Sequence, residues 1–477
     1  MVVPRIRAPR TAVAAAALAW AATAAWGSPR TDPTVGRAVF TGATMPHATS
    51  IGLDPAAIGL GAVDELYLAV AGTVDQLHIA LDAPSGGAAP GARVSDTELG
   101  PGATIAFLYH LAGDSLTVGF EANTSPSESF PSDQRAFEDH VLGGRERDWQ
   151  ASVGASYKVA DMLFAGASLS HQNTFLKLRY ARDLALAACT APPCAPGGPD
   201  SAEVWNVDVR SPALSTSNLR VNIGVMVQIL HDVWLGVAYH TPPGFETELS
   251  GHITIERAPG AIAADPGPDP VTHMTEQSVV ELQLPASVDA ELRARLPRDL
   301  DLHVAGRWED LSRFSGYDVR AFGRTAVRDQ VPEWTERPRG FHDSFAGWAG
   351  VEQVDRGQAW LFGARAGFET ASLAASRTSP LTVAPGSLTL DLGAQLRLST
   401  NLVAQLSYGL AYFPTVTVSA ADSAFDPNAE VNCAAAFFDY STRACQAARG
   451  GYAIASAAGS YDRLEHALRL GLRYALP

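Results

Sequence analysis

Cysteine is scarce in this chain of 477 residues: Cys189 and Cys194 lie in one connecting segment, Cys433 and Cys445 in another. Neither pair has Cys-x-x-Cys spacing or a nearby histidine cluster, which argues against a metal centre. Beyond the N-terminal leader no apolar run reaches the roughly 18 residues of a membrane-crossing helix. No linker and no shift in composition divides the chain, so one large architecture is expected despite its length. Catalytic signatures are missing too: there is no Gly-x-Ser-x-Gly elbow, no His-Glu-x-x-His, no phosphate loop and no dinucleotide fingerprint. The expectation is a protein that is not an enzyme and needs no cofactor, although 12 histidines and many serines leave open a site assembled only in space. A formal charge of −15, with the excess acid mostly between candidate strands, argues against a nucleic-acid partner.

What is present begins with a leader. Arg5, Arg7 and Arg10 precede the Ala-rich run from Thr11 to Ala25, and Ala25-Trp26-Gly27 offers the small residues a signal peptidase needs. Residues 1–27 are therefore expected to be a signal peptide, with maturation near Ser28. An uncleaved anchor is the alternative, but the apolar run is short for a bilayer. In an exported protein the cysteines are expected as two local disulfides, Cys189–Cys194 and Cys433–Cys445. Four unpaired thiols are the alternative.

The rest of the chain alternates with period two. Trp149, Ala151, Val153, Ala155, Tyr157 and Val159 alternate with Gln150, Ser152, Gly154, Ser156 and Lys158, and the same pattern recurs over 388–398, 402–412 and 464–476. About fourteen strands follow, near 65–81, 103–112, 115–124, 148–159, 162–180, 204–229, 232–254, 276–294, 298–320, 342–355, 357–370, 386–398, 401–418 and 462–476. The first changes its apolar face near Asp75, which reads as a register change, and 342–355 alternates poorly. Tight turns such as His231-Asp232, Pro297-Arg298 and Thr400-Asn401 alternate with long acidic segments rich in Pro and Gly.

Long two-faced strands, short turns on one side and long loops on the other describe a transmembrane β-barrel, all-β and antiparallel. A secreted β-sandwich or propeller also alternates, but over strands of about five or six residues. A fourteen-stranded barrel encloses a lumen wider than side chains alone fill. Residues 28–64 lack alternation and precede the first strand, so they are expected to be a plug inside a barrel spanning 65–477; a disordered tail is the alternative.

Motifs in this N-terminal region carry a resemblance. Gly36-Arg37-Ala38 followed by Asp54-Pro55-Ala56 resembles the start of the FadL family of outer-membrane long-chain fatty acid and hydrocarbon transporters. Leu282-Gln283-Leu284-Pro285, Trp308 to Phe314 and Gly340-Phe341-His342-Asp343 are similar to later family segments, in order. Two features depart from the family: Asp54 stands where Asn is usual, and the chain ends Tyr474-Ala475-Leu476-Pro477 without a terminal aromatic residue. The resemblance implies a fourteen-stranded barrel with an N-terminal hatch at Gly36, Arg37, Ala38, Asp54, Pro55 and Ala56. It implies passive uptake of hydrophobic molecules with release through a lateral gap, for which Gly119, Glu121 and Asn123 on the third strand are candidates. Arg307, Arg365, Arg397, Arg469 and Arg473 project inward by register and are candidates to hold a carboxylate, although lumen arginines more often pair with acids or the plug. Expected partners are fatty acids or hydrocarbons and outer-membrane lipids, around a monomeric barrel. An outer-membrane enzyme acting on lipid and an adhesive barrel using its long loops are the alternatives; the first needs a Ser or Asp nucleophile beside a His at the outer rim.

Overall fold

The computed structural model describes residues 39–61, 63–82, 93–111, 115–124, 128–130, 141–183, 202–210, 218–242, 244, 247–257, 273–282, 285–313, 316–322, 334–338, 340–354, 357–424 and 457–476. Among them, fourteen antiparallel strands close one sheet into a barrel. The first five are β1 (Glu65–Leu81), β2 (Arg93–Leu111), β3 (Leu116–Thr124, resuming at Glu128–Phe130), β4 (Gly143–Ala160) and β5 (Leu163–Asp183). Five interrupted strands follow: β6 (Ala202–Arg210 and Leu219–Leu230), β7 (Val233–His240 and Thr247–Arg257), β8 (His273–Leu282 and Ser287–Leu296), β9 (Leu300–Glu309 and Gly316–Phe322) and β10 (Trp334–Pro338 and Ser344–Gln353). The wall ends with β11 (Trp360–Glu369), β12 (Ser387–Arg397), β13 (Leu402–Val418) and β14 (Gly459–Ala475). Closure is made by β1, which pairs with β2 from Glu65↔Leu108 and with β14 from Glu65↔Ala475. No backbone edge is left for hydrocarbon to meet along that seam.

Sequence alternation finds these strands closely, with one systematic departure. The expected runs 204–229, 232–254, 276–294 and 298–320 are each broken, and 334–338 precedes the strand expected at 342–355. Local chemistry explains two of the breaks. Pro285 has no N–H to give a ladder, and Gly340 adopts φ +68°. The inner segments continue the wall, while the outer ones pair among themselves as a sheet extending beyond it. On the inner side the hairpins are tight; Asp232, Arg298 and Asp299 take positive φ there to reverse the chain.

The register change expected near Asp75 does not occur: β1 pairs without a shift along both neighbours. What changes is the solvent on each face. Below Asp75 the outward residues are Leu68 and Val70 and the inward ones include Glu65 and Thr73. Above it the outward face carries Gln76 and His78, while Ile79 and Leu81 turn inward and pack with Val94, Val383, Val418 and Tyr461. On β5, Leu176, Leu178 and Tyr180 likewise face inward beneath an exposed Lys177. A barrel wall inverts its polarity where it leaves lipid for water, because the outside then needs polar groups and the inside becomes the dry side.

Exposed aromatic residues mark the limits of the lipid-facing zone. Trp149 and Tyr157 face outward on β4, as do Trp360 and Phe368 on β11. Each pair is separated by about 26 Å along its strand, shortened by strand tilt to roughly 20 Å, near the apolar height of an outer-membrane barrel with its aromatic girdles. The fold is thus consistent with an outer-membrane location.

Candidate functional site

The segment from Val39 to Gly61 lies inside the barrel and pairs with no strand. It winds through two short 3-10 turns, Ala48–Gly52 and Ala57–Leu60. His47 caps the first, its Nδ1 accepting from the Thr49 amide at 3.2 Å. Between the turns Asp54 accepts the Ala56 N–H at 2.8 Å through Oδ1, the local bond that Asp makes readily, while Pro55 fixes a torsion. Thr41, Thr44, Ala48, Ile51, Asp54 and Ala57 have almost no solvent exposure.

Wall carboxylates grip the first half of this segment by its backbone. Glu352 accepts from the Phe40 N–H at 3.0 Å, Glu291 from the Ala43 N–H at 2.7 Å and the Thr44 hydroxyl at 2.8 Å, and Glu65 from the Ala48 N–H at 3.0 Å. Arg365 donates to the Thr41 carbonyl and to Glu352. His303 stands between Glu291, at 2.7 Å, and Glu352, at 3.6 Å. Buried carboxylates are tolerated because these partners replace water. The second half is held differently, by the hydroxyls of Ser156 on the Ala56 carbonyl (2.9 Å) and Ser168 on the Ile51 carbonyl (3.3 Å).

Inward-facing glycines make the seat. A Cβ at Gly119 would stand 2.5 Å from Ile51 Cδ1; at Gly236 it would stand 2.7 Å from the Ala43 carbonyl oxygen and 2.9 Å from Asp54 Oδ2. Gly166 lies against the Pro55 backbone, Gly224 against the Asp54 carboxyl, and Gly363 and Gly393 against Val39, each too closely for a side chain. Three cross-strand pairs of these inward-facing glycines line the seat: Gly119↔Gly154, Gly166↔Gly224 and Gly363↔Gly393. Paired glycines remove two side chains from one patch of wall, so the segment approaches the backbone itself.

Burial pushes the Asp54 carboxyl well above the usual carboxylate range; the Ala56 N–H opposes this, and the charges of Asp289 and Glu291 add to it. His47 is driven down to about 4 by burial, which outweighs the nearby Glu65.

The candidate residues divide into groups. Asp54, Pro55 and Ala56 stand together in the lumen, whereas Gly36, Arg37 and Ala38, the leader and all four cysteines lie outside the described residues. On β3, Gly119 faces Ile51, Glu121 is buried beside Gly52, and Asn123 donates to Glu121 at 3.1 Å. Among the described residues β2 and β3 pair from Leu111↔Leu116 to Ala103↔Thr124, so that all three candidates lie within the ladder. All five arginines lie on inward registers, yet they do not converge. Arg307 pairs with Asp289 at 2.7 Å, Arg365 with Glu352, and Arg473 with Glu65 at 2.7 Å; Arg469 is buried, and Arg397 sits at the inner end of β12. Glu65, Glu291, Glu352, His303 and Ser156 escaped sequence reasoning. Their only signal is a polar residue on the lumen face of an alternating strand.

Among the described residues no cluster of His, Cys, Asp or Glu suits a metal ion. His240 contacts Asn222 (2.9 Å) and Asp289 (2.9 Å), and His303 contacts carboxylates, so neither stands on a serine hydroxyl.

The chain is a closed fourteen-stranded antiparallel barrel with the Val39–Gly61 segment inside its lumen, a fold consistent with an outer-membrane location. Among solved structures it is similar to a Pseudomonas aeruginosa FadL homologue, at 16% identity and TM-score 0.71 over 95% of this chain and 100% of that one. It is also similar to the P. putida toluene transporter TodX (11%, TM-score 0.60, 90% and 94%) and to the CymD monoaromatic hydrocarbon channel (14%, TM-score 0.58, 94% and 99%). At these identities the likeness is one of fold. No family model matches the chain, and neither does any curated protein.

Proposed function

We propose that this protein is a passive outer-membrane channel for hydrophobic small molecules, fatty acids or hydrocarbons, with residues 28–64 as its hatch. The observation that carries this reading is the lumen itself: the Val39–Gly61 segment crosses it, gripped by Glu65, Glu291 and Glu352 and seated on glycines. An open pore serves sugars and ions, whereas a plugged one serves cargo that must be captured before it passes. Above the plug the inner face turns apolar at Ile79, Leu81, Leu176 and Leu178. A hydrocarbon chain gains about 0.8 kcal/mol per CH₂ buried there, enough to concentrate it without an energy source. Gly119, Glu121 and Asn123 on β3 are the candidates for a sideways exit into the bilayer. The likeness to a toluene transporter and a monoaromatic hydrocarbon channel agrees with this cargo class.

The test is direct. Protein extracted in a detergent that lacks alkyl chains of biological length is denatured and its organic extract analysed by mass spectrometry. In parallel, uptake of labelled oleate and toluene is measured in cells with and without the protein. Bound apolar ligand together with faster uptake of either compound is expected; faster passage of sugars and no apolar ligand overturns the reading.

A further inference from the structure

Every carboxylate that grips the plug has a cationic or donor partner; Asp54, the one inside its second half, has much less. Its Oδ1 accepts from Ala56, and its Oδ2 is buried with no hydrogen-bond partner among the described residues. From β8 come Asp289 and Glu291, both acidic, and beyond them Arg293, whose guanidinium turns to the Met45 sulfur at 3.4 Å. Asp289 is already taken by Arg307 and His240, and Glu291 by His303 and the Ala43 amide. β6 offers Gly224 at the contact and Arg220 further along, held on the Ser287 hydroxyl at 3.1 Å. β7 offers Gly236 and then His240; β5 offers Gly166 and no charge. Within the plug, His47 turns to Glu65. Among the described residues no cation is therefore aimed at Asp54. Oδ2 lies against the wall at Gly236, fully buried, where a carboxylate oxygen would have neither a donor nor a cation to replace water.

We propose that Asp54 is the proton-operated release of the plug: as a neutral carboxylic acid it completes the closed seat, and on losing its proton it drives residues 54–60 off the wall of β5, β6 and β7. This rests on reading the segment as a plug. The division of grips fits the motion, since residues 40–48 are pinned by Glu352, Glu291 and Glu65 while 54–60 hang on the Ser156 hydroxyl. The sign follows from linkage. A carboxyl that binds its proton more tightly when closed stabilises that state most at low pH, and the stability is lost as pH rises from about 4, the exposed value, to the raised closed-state value. Each pH unit in that window multiplies the open-to-closed ratio about tenfold.

Conductance of single barrels in planar bilayers is measured from about pH 5 upward, above the range where exposed carboxyls protonate, for the wild type, Asp54→Asn and a chain lacking residues 39–60. Wild-type openings should become more frequent with rising pH, Asp54→Asn should stay closed and flat, and the deletion should be open throughout. Infrared spectra of the wild type should show a protonated-carboxyl band at neutral pH that Asp54→Asn lacks; Asp54→Ser, which keeps an acceptor for Ala56, replaces it if the amide fails to assemble. A deletion with wild-type conductance overturns the plug reading. An open deletion with equal pH profiles for wild type and Asp54→Asn, or no such infrared band, overturns the role of Asp54 alone.

Discussion

Gly166 shows at the scale of one residue what holds the plug. A methyl group there would meet the Pro55 backbone, which cannot rotate away as a side-chain end can. Gly166→Ala should displace the plug at a cost of about 1–3 kcal/mol, typical of overpacking. Entry of a small polar dye into loaded vesicles checks it; the control is Gly72→Ala, whose Cβ meets nothing within 4 Å. Arg365→Met should be worse for folding, because Glu352 would be left buried without its guanidinium partner, a loss of about 3–5 kcal/mol readable as a lower urea midpoint. The sequence made the Asp54-Pro55-Ala56 turn and the inward course of Arg365 legible, since both follow from local chemistry or period two. It hid their partners. Gly166, Gly224 and Glu352 acquire meaning only through strand register, and register between distant strands leaves no local mark.

At the scale of the element, β1 separates periodicity from polarity. Its alternation is unbroken from Glu65 to Leu81, yet the face that is apolar changes over, a pattern that sequence alone does not distinguish from a shift in register. The strand has a constant geometry in a changing solvent. Two outward positions on the same strand therefore answer the same substitution differently. Val70→Arg places a charge in the lipid-facing zone and should destabilise the barrel by about 2–4 kcal/mol, whereas His78→Arg, beyond the changeover, should fall within about 0–1 kcal/mol. Reversible urea unfolding in lipid vesicles measures both. Equal effects would mean that β1 lies in one solvent along its length. The broken strands β6 to β10 obey the same logic, since alternation persisted across breaks that Pro285 and Gly340 impose on the backbone.

For the whole molecule, wall and plug are stabilised by separable means. The wall closes through β1 and β14 with an unbroken register from Glu65↔Ala475 to Leu81↔Gly459, so its backbone groups need neither plug nor second subunit. The Val39–Gly61 segment contributes no strand; it lies in the lumen and satisfies Glu65, Glu291 and Glu352, side chains that water can satisfy once it is gone. A chain lacking residues 39–60 should therefore still assemble as a heat-modifiable monomer with a β-type circular dichroism spectrum. Its midpoint should fall only modestly, because rehydration of the three carboxylates replaces hydrogen bonds worth about 1.5–3 kcal/mol each at most. Its conductance should instead rise sharply and admit small polar solutes, since a fourteen-stranded lumen is too wide for wall side chains to fill. Gel mobility with and without heating, light scattering in detergent and bilayer recording measure the three properties on one preparation. A deletion that fails to assemble would make the segment part of the folding core, and one that assembles but stays shut would place the seal elsewhere in the barrel.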